Sequence, residues 1–310
     1  MSPRETILAS LRSFWTRGRR IERIGYLVGL LLLTSGIAHL GILSLGGGSW
    51  EGPLSFRKPA VFGLSFGLTL ITIVWTASFL PLAERTRVAL LSIFTVACIL
   101  ETALVSLQAW RGVPSHFNLE TAFDGHVARA LAVGGFALVT VIVGLTVTAF
   151  RRNPAVPISL RIALQIGFVV LCGAMAVGAT MIARGMMLVF AGEPARAYAT
   201  GGALKPTHAV TMHAILVLPA LAWLLSFADW SERRRLRTVR WASAGYVVLA
   251  GVVAAANIAG VELRHLPATV GALIGLAALS ILTSVAIAVL GVARAPGARG
   301  IEHEGRPLRV

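Results

Sequence analysis

Eight apolar runs, each of roughly 20 residues and therefore long enough to cross a hydrocarbon core of ~30 Å as a helix, follow one another along the chain. Only helices and closed barrels satisfy all of their backbone groups in lipid, and runs this long and continuous are typical of helices. We therefore predict an all-α membrane protein with eight transmembrane helices, at residues 24–45, 60–81, 88–109, 129–150, 161–183, 207–228, 240–261 and 269–292.

The basic residues are distributed unevenly between the two sides of these spans. The formal net charge is +15, and all but eight of the 28 lysines and arginines fall on the side of the N-terminus. Lysine and arginine collect in the cytoplasmic loops of membrane proteins. We predict a multi-pass protein of the bacterial cytoplasmic (inner) membrane with both termini inside. Because topology explains the basic residues, we expect the lipid bilayer as a partner and no nucleic acid.

Short matches between the two halves of the chain indicate two parallel four-helix repeats. The first and fifth spans begin RIGYLVG and RIALQIG, and Lys-Pro followed by a tryptophan marks the second and the sixth. The third and seventh spans end in RGVP and RHLP. Repeats with an even number of spans are parallel. Chance clustering of arginine and proline at helix ends is the alternative. The predicted units are a cytoplasmic amphipathic segment (1–23), two four-helix halves (24–150 and 151–292) and a cytoplasmic tail (293–310).

Two further patterns concern packing. Gly63 with Gly67, and Gly271 with Gly275, have the GxxxG spacing that allows two membrane helices to approach closely. In the segment before the first span, apolar residues recur at helical spacing among arginines, which predicts a short helix lying on the anionic inner leaflet; they are Ile7, Leu11, Phe14 and Trp15.

Polar side chains concentrate in the outer half of the predicted bundle, and six of the seven histidines fall there. Helix bundles hold haem iron on histidines of facing helices. His39 and His213 lie at matched predicted depth and are the candidate iron ligands of a b-type haem. The wider predicted cofactor site adds cations for propionates or another anionic group; it comprises His39, His126, His208, His213, Arg57, Arg111 and Arg264. Hydrogen-bonded structural histidines and arginines that snorkel to lipid phosphate are the alternative.

The third span carries a second predicted feature, a proton relay of Glu101, Gln108 and His116. Glu101 and Gln108 are seven residues apart and share one helix face. A carboxylate at this depth costs at least ~2.5 kcal/mol unless it is paired or protonated, so it must face the bundle interior or water. The turn RGVPSHFN (111–118) follows, and Pro114 is predicted to fold His116 and Asn118 over the mouth of the bundle.

Eight spans in two halves with outer histidines are similar in overall plan to the haem A synthase family. That resemblance implies haem binding in the outer half, although the local motifs of the family and its repeated histidine pairs are not found. In addition, RKPAVFGLSFG (57–67) and QAWRGVPSHFN (108–118) resemble strings from uncharacterised bacterial multi-pass membrane proteins. This second resemblance implies no activity.

The sequence leaves three function classes open. The first is a redox protein that binds b-type haem or quinone in the outer half. The second is a proton-coupled transporter or small-molecule-binding permease that uses Glu101 and His213. The third is an enzyme acting on a lipid or quinone from the outer leaflet, with acid–base groups among His116, Asn118, Glu120 and Asp124. The sequence contains no HExxH or GxSxG motif.

Overall fold

The computed structural model describes residues 3–46, 49–50, 52, 54–199, 204–261 and 265–295, and within these ranges all regular structure is helical. Eight of the helices are long and apolar enough to cross a membrane, which confirms the predicted class of all-α protein with eight candidate spans. The helices are α1 (Pro3–Thr16), α2 (Arg20–Leu45), α3 (Arg57–Ala77), α4 (Glu84–Trp110), α5 (Ala122–Ala149), α6 (Ile158–Phe190), α7 (Pro194–Ala199), α8 (Lys205–Leu225), α9 (Glu232–Ile258) and α10 (Ala268–Ala293).

The long helices alternate in direction, so the bundle has two distinct ends. One end, here called the α1 end, carries α1 and the starts of α2, α4, α6 and α9. The other, the loop end, carries residues 111–121 and the starts of α3, α5, α8 and α10. α6 contains 33 residues and continues well beyond the predicted span 161–183 at the loop end.

One packing arrangement occurs twice along the chain. α2 packs on α3 and α4, and α6 packs in the same way on α8 and α9. α4 pairs with α5 as α9 pairs with α10. α3 and α8 each contain 21 residues, and α4 and α9 each contain 27. Contacts between α3 and α8, and between α5 and α6, join the two sets.

Glycines bring α2 and α3 into backbone contact. A Cβ atom on Gly63 would lie 2.5 Å from the backbone nitrogen of Gly36, and one on Gly67 would lie 2.7 Å from backbone atoms of the same helix. The first GxxxG pair therefore allows α2 and α3 to approach closely, as predicted. The second pair makes no such contact within the described residues, because a Cβ on Gly271 or Gly275 would meet none of their atoms within 4 Å.

We expect Gly36→Ala to lower the free energy of unfolding by about 1–3 kcal/mol, because the added methyl group overpacks the α2–α3 contact. Its Cβ would lie 2.5 Å from the backbone nitrogen of Leu64. Gly41→Ala is the matched control on the same helix, since a Cβ there has open space. Equilibrium unfolding in mixed micelles measures both variants. Equal stability of the two would contradict the close contact.

An aromatic cluster closes the junction of α3 and α8 at the α1 end. Phe14 of α1 is 6% exposed, and its ring centroid lies 6.2 Å from that of Trp75 and 6.4 Å from that of Trp223. α1 is helical, as the sequence predicts, and Leu11 and Trp15 are exposed. The helix does not rest on lipid alone, however, because Phe14 anchors it between the two sets of helices.

A buried ion pair lies near this cluster. The side chain of Arg87 is almost fully buried, and it donates hydrogen bonds to the carbonyl oxygens of Ala77 (Nη1, 2.6 Å) and Leu80 (Nη2, 3.1 Å). Its Nη1 also lies 3.4 Å from Oε1 of Glu22, which is equally buried. Arg87 therefore joins the ends of α2, α3 and α4.

Candidate functional site

The loop at residues 111–121 folds into the mouth of the bundle at the loop end. Ser115 and Asn118 are buried. The ring of Phe117 lies so close to α6 that a Cβ on Gly185 would overlap it. Phe117 has a φ of 65°, the one non-glycine residue in the described ranges with a positive φ, a backbone conformation that costs free energy and persists where the surroundings fix it.

A hydrogen-bonded latch fixes both ends of this loop. Asp124, in the first turn of α5, accepts hydrogen bonds from Gln108 Nε2 (2.8 Å), Arg111 Nη1 (2.6 Å) and Thr121 Oγ1 (2.6 Å). Arg111 also donates to Gln108 Oε1. The side chain of Gln108 is therefore bonded within the latch, and in the part of the chain that the structure describes it makes no hydrogen bond to Glu101. The relay of Glu101, Gln108 and His116 stays a prediction.

Glu101 of α4 lies below the latch in the interior of the bundle. Its side chain is 4% exposed, and a Cβ on Gly134 of α5 would lie 2.7 Å from its Oε1. The absence of a side chain at Gly134 therefore provides the space that the carboxyl group fills. Glu101 is roughly 14 Å below the end of α4, a depth at which an ionised carboxylate requires a partner.

Lys58, near the start of α3, is a cation that acts electrostatically on this carboxyl group. Its ammonium group lies within electrostatic range of the Glu101 carboxylate, of His116 in the loop and of Lys205 at the start of α8. It makes no hydrogen bond or ion pair with any residue in the described part of the chain. Burial, with the nearby ammonium group, lowers the pKa of His116 well below its usual range, so this imidazole is neutral near pH 7.

Several polar atoms in the loop-end half of the bundle are buried without a hydrogen-bond partner within the described ranges. They are Oγ1 of Thr102, Oγ of Ser106, Nδ2 of Asn118 and the hydroxyl group of Tyr198. Buried polar groups are normally satisfied. The loop end therefore has hydrogen-bonding capacity that the protein itself does not use.

Both ring nitrogens of His39 lie within hydrogen-bonding distance of other groups. Nδ1 lies 2.8 Å from the carbonyl oxygen of Ser35, and Nε2 accepts a hydrogen bond from the indole N–H of Trp110 at 3.1 Å. The ring also stacks on Phe56, with centroids 6.2 Å apart. An imidazole binds haem iron through a nitrogen lone pair, so His39 could ligate iron only after losing the Trp110 bond.

His213 does not meet His39. It is exposed on α8, and its Nδ1 lies 2.6 Å from the carbonyl oxygen of Ala209. His213 lies beside Leu68 of α3, whereas His39 contacts Phe56 at the start of α3. These positions are roughly 18 Å apart along a helix. The two histidines do not have the geometry of a shared haem.

The remaining candidate ligands also have separate surroundings. His126 is exposed beside Arg129, and Nδ1 of His208 lies 2.9 Å from the carbonyl oxygen of Ala174. In the described part of the chain, no group of three or more His, Cys, Asp or Glu residues could hold a metal ion.

The two predicted cofactor arginines in the described residues, Arg57 and Arg111, have different contacts. Arg57 lies 5.8 Å from the ring centroid of Trp50, and Arg111 belongs to the latch. Arg264 lies outside the described residues.

The chain was compared with protein-family models, curated proteins and solved structures. No match was found in any of the three. The resemblance in overall plan to haem A synthase, and that of residues 57–67 and 108–118 to bacterial multi-pass proteins, therefore stay predictions. Helical bundles occur in proteins of many different functions, so the chemistry of the site is the basis for a functional proposal.

The central residue of this site was not singled out in the sequence. The sequence identifies Lys58 and Lys205 only as the lysines of the two Lys-Pro matches and as cations on the side of the membrane with fewer basic residues. The repeated Lys-Pro was the available signal, and the structure brings the two lysines into electrostatic range. Two cations beside a buried carboxyl group can bind an anion and exchange a proton.

Proposed function

We propose that this protein is a proton-coupled permease that binds a small anionic solute at the loop end. The observation that carries the proposal is the buried Glu101 carboxyl group beside Lys58, with Lys205 contributed by the second set of helices. An ionisable residue inside a membrane span marks a functional site by default. Haem or quinone binding remains a prediction that no contact in the described residues favours.

The proposed coupling follows from charge balance. With the site empty of solute, the Lys58 ammonium group compensates the Glu101 carboxylate. An anion that binds Lys58 and Lys205 withdraws this compensation, and Glu101 then takes up a proton on a carboxylate oxygen. The anion and the proton enter together, so that one negative charge of the anion is balanced, and each strengthens the binding of the other by linkage.

The proposed architecture is a tandem duplication. It is supported by the paired helix lengths and by matching bonds, such as Ser78 Oγ to the carbonyl of Trp75 and Ser226 Oγ to that of Trp223, both 2.6 Å. Two parallel halves would place the site on their mutual junction. The arginine pattern supports a bacterial inner-membrane location with the α1 end in the cytoplasm.

The described conformation corresponds to a closed state in this proposal. Phe14 and its aromatic neighbours fill the α1 end of the α3–α8 junction. At mid-depth, beside His213, the junction contains a cavity of only about 10 Å³, room for no more than one water. Transport therefore requires the two halves to move relative to one another.

Proton entry into proteoliposomes tests the proposal. Vesicles loaded with the pH dye pyranine receive an inward pH gradient and then a membrane-impermeant anion from a panel of di- and tricarboxylates and inorganic phosphate. We expect at least one anion to accelerate acidification several-fold over protein-free vesicles. Failure of every anion to change either proton entry or the melting temperature of the protein would contradict an anion site.

We expect Lys58→Gln to raise the half-saturating concentration of the active anion at least tenfold, because it removes the interior cation of the site. Arg129→Gln is the matched control. It removes a cation from the same end of the bundle, but Arg129 is exposed on α5. An equal effect of the two substitutions on anion-driven acidification would indicate attraction by general surface charge instead of a site at Lys58.

A further inference from the structure

A groove of about 520 Å³ lies between α9 and α10, toward the α1 end. It is separate from the site of Glu101 and Lys58. Two arginines and a threonine of α9 line one side, and leucine, isoleucine and hydroxyl side chains of α10 line the other. The lining residues are Arg234, Arg237, Thr238, Trp241, Leu276, Leu279, Ser280, Thr283, Ser284 and Ile287.

The two arginines of the groove are available to bind an anion. The Arg234 guanidinium group lies over the Trp230 ring, 3.8 Å from its centroid, which holds it in place without neutralising it. Arg237 is exposed and makes no ion pair with any carboxylate in the described part of the chain. Two uncompensated cations therefore lie side by side on the first two turns of α9.

The apolar part of the groove has the length of a lipid chain. The α10 lining runs from Leu276 to Ile287, a rise of roughly 16 Å, which is about half of a hydrocarbon core of ~30 Å. Leu276 and Leu279 are 65% and 58% exposed. With Ile287 they supply the apolar part of a lining that also contains the hydroxyl groups of Ser280, Thr283 and Ser284.

The corresponding region of the first half is built differently. With Trp75 matched to Trp223 and Arg87 to Arg235, the position of Arg237 corresponds to Ala89 of α4. There α5, the counterpart of α10, packs on α6. The shared packing arrangement therefore does not require these arginines or an open groove. Both features are specific to the α9–α10 pair.

We propose that this groove is a binding site for one anionic phospholipid of the leaflet at the α1 end. The phosphate group binds Arg234 and Arg237, and an acyl chain lies along Leu276 and Ile287. Charge complementarity selects an anionic lipid, since arginine pairs bind phosphate well and basic pockets between membrane helices bind anionic headgroups.

Native mass spectrometry of the detergent-solubilised full chain, titrated with phosphatidylglycerol, tests this site. We expect one retained lipid per chain and at least tenfold weaker retention in the double variant Arg234→Gln, Arg237→Gln. The matched control is Arg151→Gln, Arg152→Gln, which removes two exposed cations at the same end and is expected to change retention less than twofold. A second variant, Thr283→Phe, keeps the arginines and fills the groove, and we expect it to lose the lipid too.

Four results would overturn the assignment. Equal retention of phosphatidylcholine would remove the charge argument, and an equal loss in the control pair would reduce the effect to surface charge. Full retention in Thr283→Phe would place the lipid elsewhere. A mass of two chains that falls to one in Thr283→Phe would identify a second copy of the chain as the occupant.

Discussion

Glu101→Gln is expected to reduce anion-driven proton entry to the rate of protein-free vesicles. The amide keeps the size of the side chain beside Gly134 but cannot carry the proton. Anion binding, by contrast, should persist or strengthen, because Lys58 loses its competing carboxylate. Pyranine acidification measures the first effect, and the anion-induced rise in melting temperature measures the second. Loss of transport with retained binding is the specific signature of a proton carrier.

Glu120→Gln is the matched control for this experiment. Glu120 is an exposed carboxylate in the same loop-end region, and its substitution should leave proton entry within twofold of that of the unchanged protein. If Glu101→Gln transports protons as fast as the control does, Glu101 has no part in the coupling and the proposed mechanism is wrong.

Arg87→Met is expected to produce the largest loss of stability among these variants, up to about 3–5 kcal/mol, because breaking a buried ion pair is strongly destabilising. Glu22 keeps a second cation, since Nη1 of Arg19 lies 3.2 Å from its Oε1. The substitution also removes the donors for the carbonyl groups of Ala77 and Leu80. Equilibrium unfolding in mixed micelles measures the change. The double variant with Glu22→Gln should recover part of the loss, since the buried carboxylate is then removed as well.

Arg235→Met in the second half is the natural comparison for Arg87→Met. Arg235 donates to the carbonyl of Ala228 at 2.7 Å, but its nearest carboxylate, on Glu232, is 4.0 Å away and more exposed. We expect a clearly smaller loss than for Arg87→Met. Equal losses would show that the carbonyl bonds, which both arginines make, outweigh the buried pair with Glu22.

Arg87, which is buried, and Lys58, which is half-buried, differ in a way that separates structure from function. Arg87 has a carboxylate and two carbonyl groups within bonding distance, as expected of a group that joins helix ends. Lys58 has charged neighbours but no bonded partner in the described residues. An ammonium group that has a nearby countercharge but no direct bond within the described residues is available to a ligand, which is why we place the proposed site at Lys58.

The class of protein was predictable from the sequence because lipid imposes a strong constraint. A span must be apolar over some twenty residues and must be helical, so the eight helices could be counted before any contact was known. The burial of Glu101 could also be predicted, since a carboxylate in a span must turn away from lipid. The space for it, at Gly134, could not.

Contacts between helices were beyond the sequence because helical periodicity gives the face of a residue and its depth but not the neighbouring helix. His39 and His213 share a predicted depth, yet one binds Trp110 and the other lies exposed on α8. Gly271 and Gly275 have the same spacing as Gly63 and Gly67, but a Cβ added to either would meet no atom of the described residues within 4 Å.

What the sequence determined by itself was the number of spans, their helical nature and the concentration of polar groups at one end. Only the tertiary structure decided which of those groups meet. A long, flexible side chain such as that of Lys58 can reach several neighbours from the end of a helix. The charged neighbours of Lys58 are therefore decided by the packing of α3 on α4 and α8, which brings Glu101 and Lys205 within electrostatic range of its ammonium group.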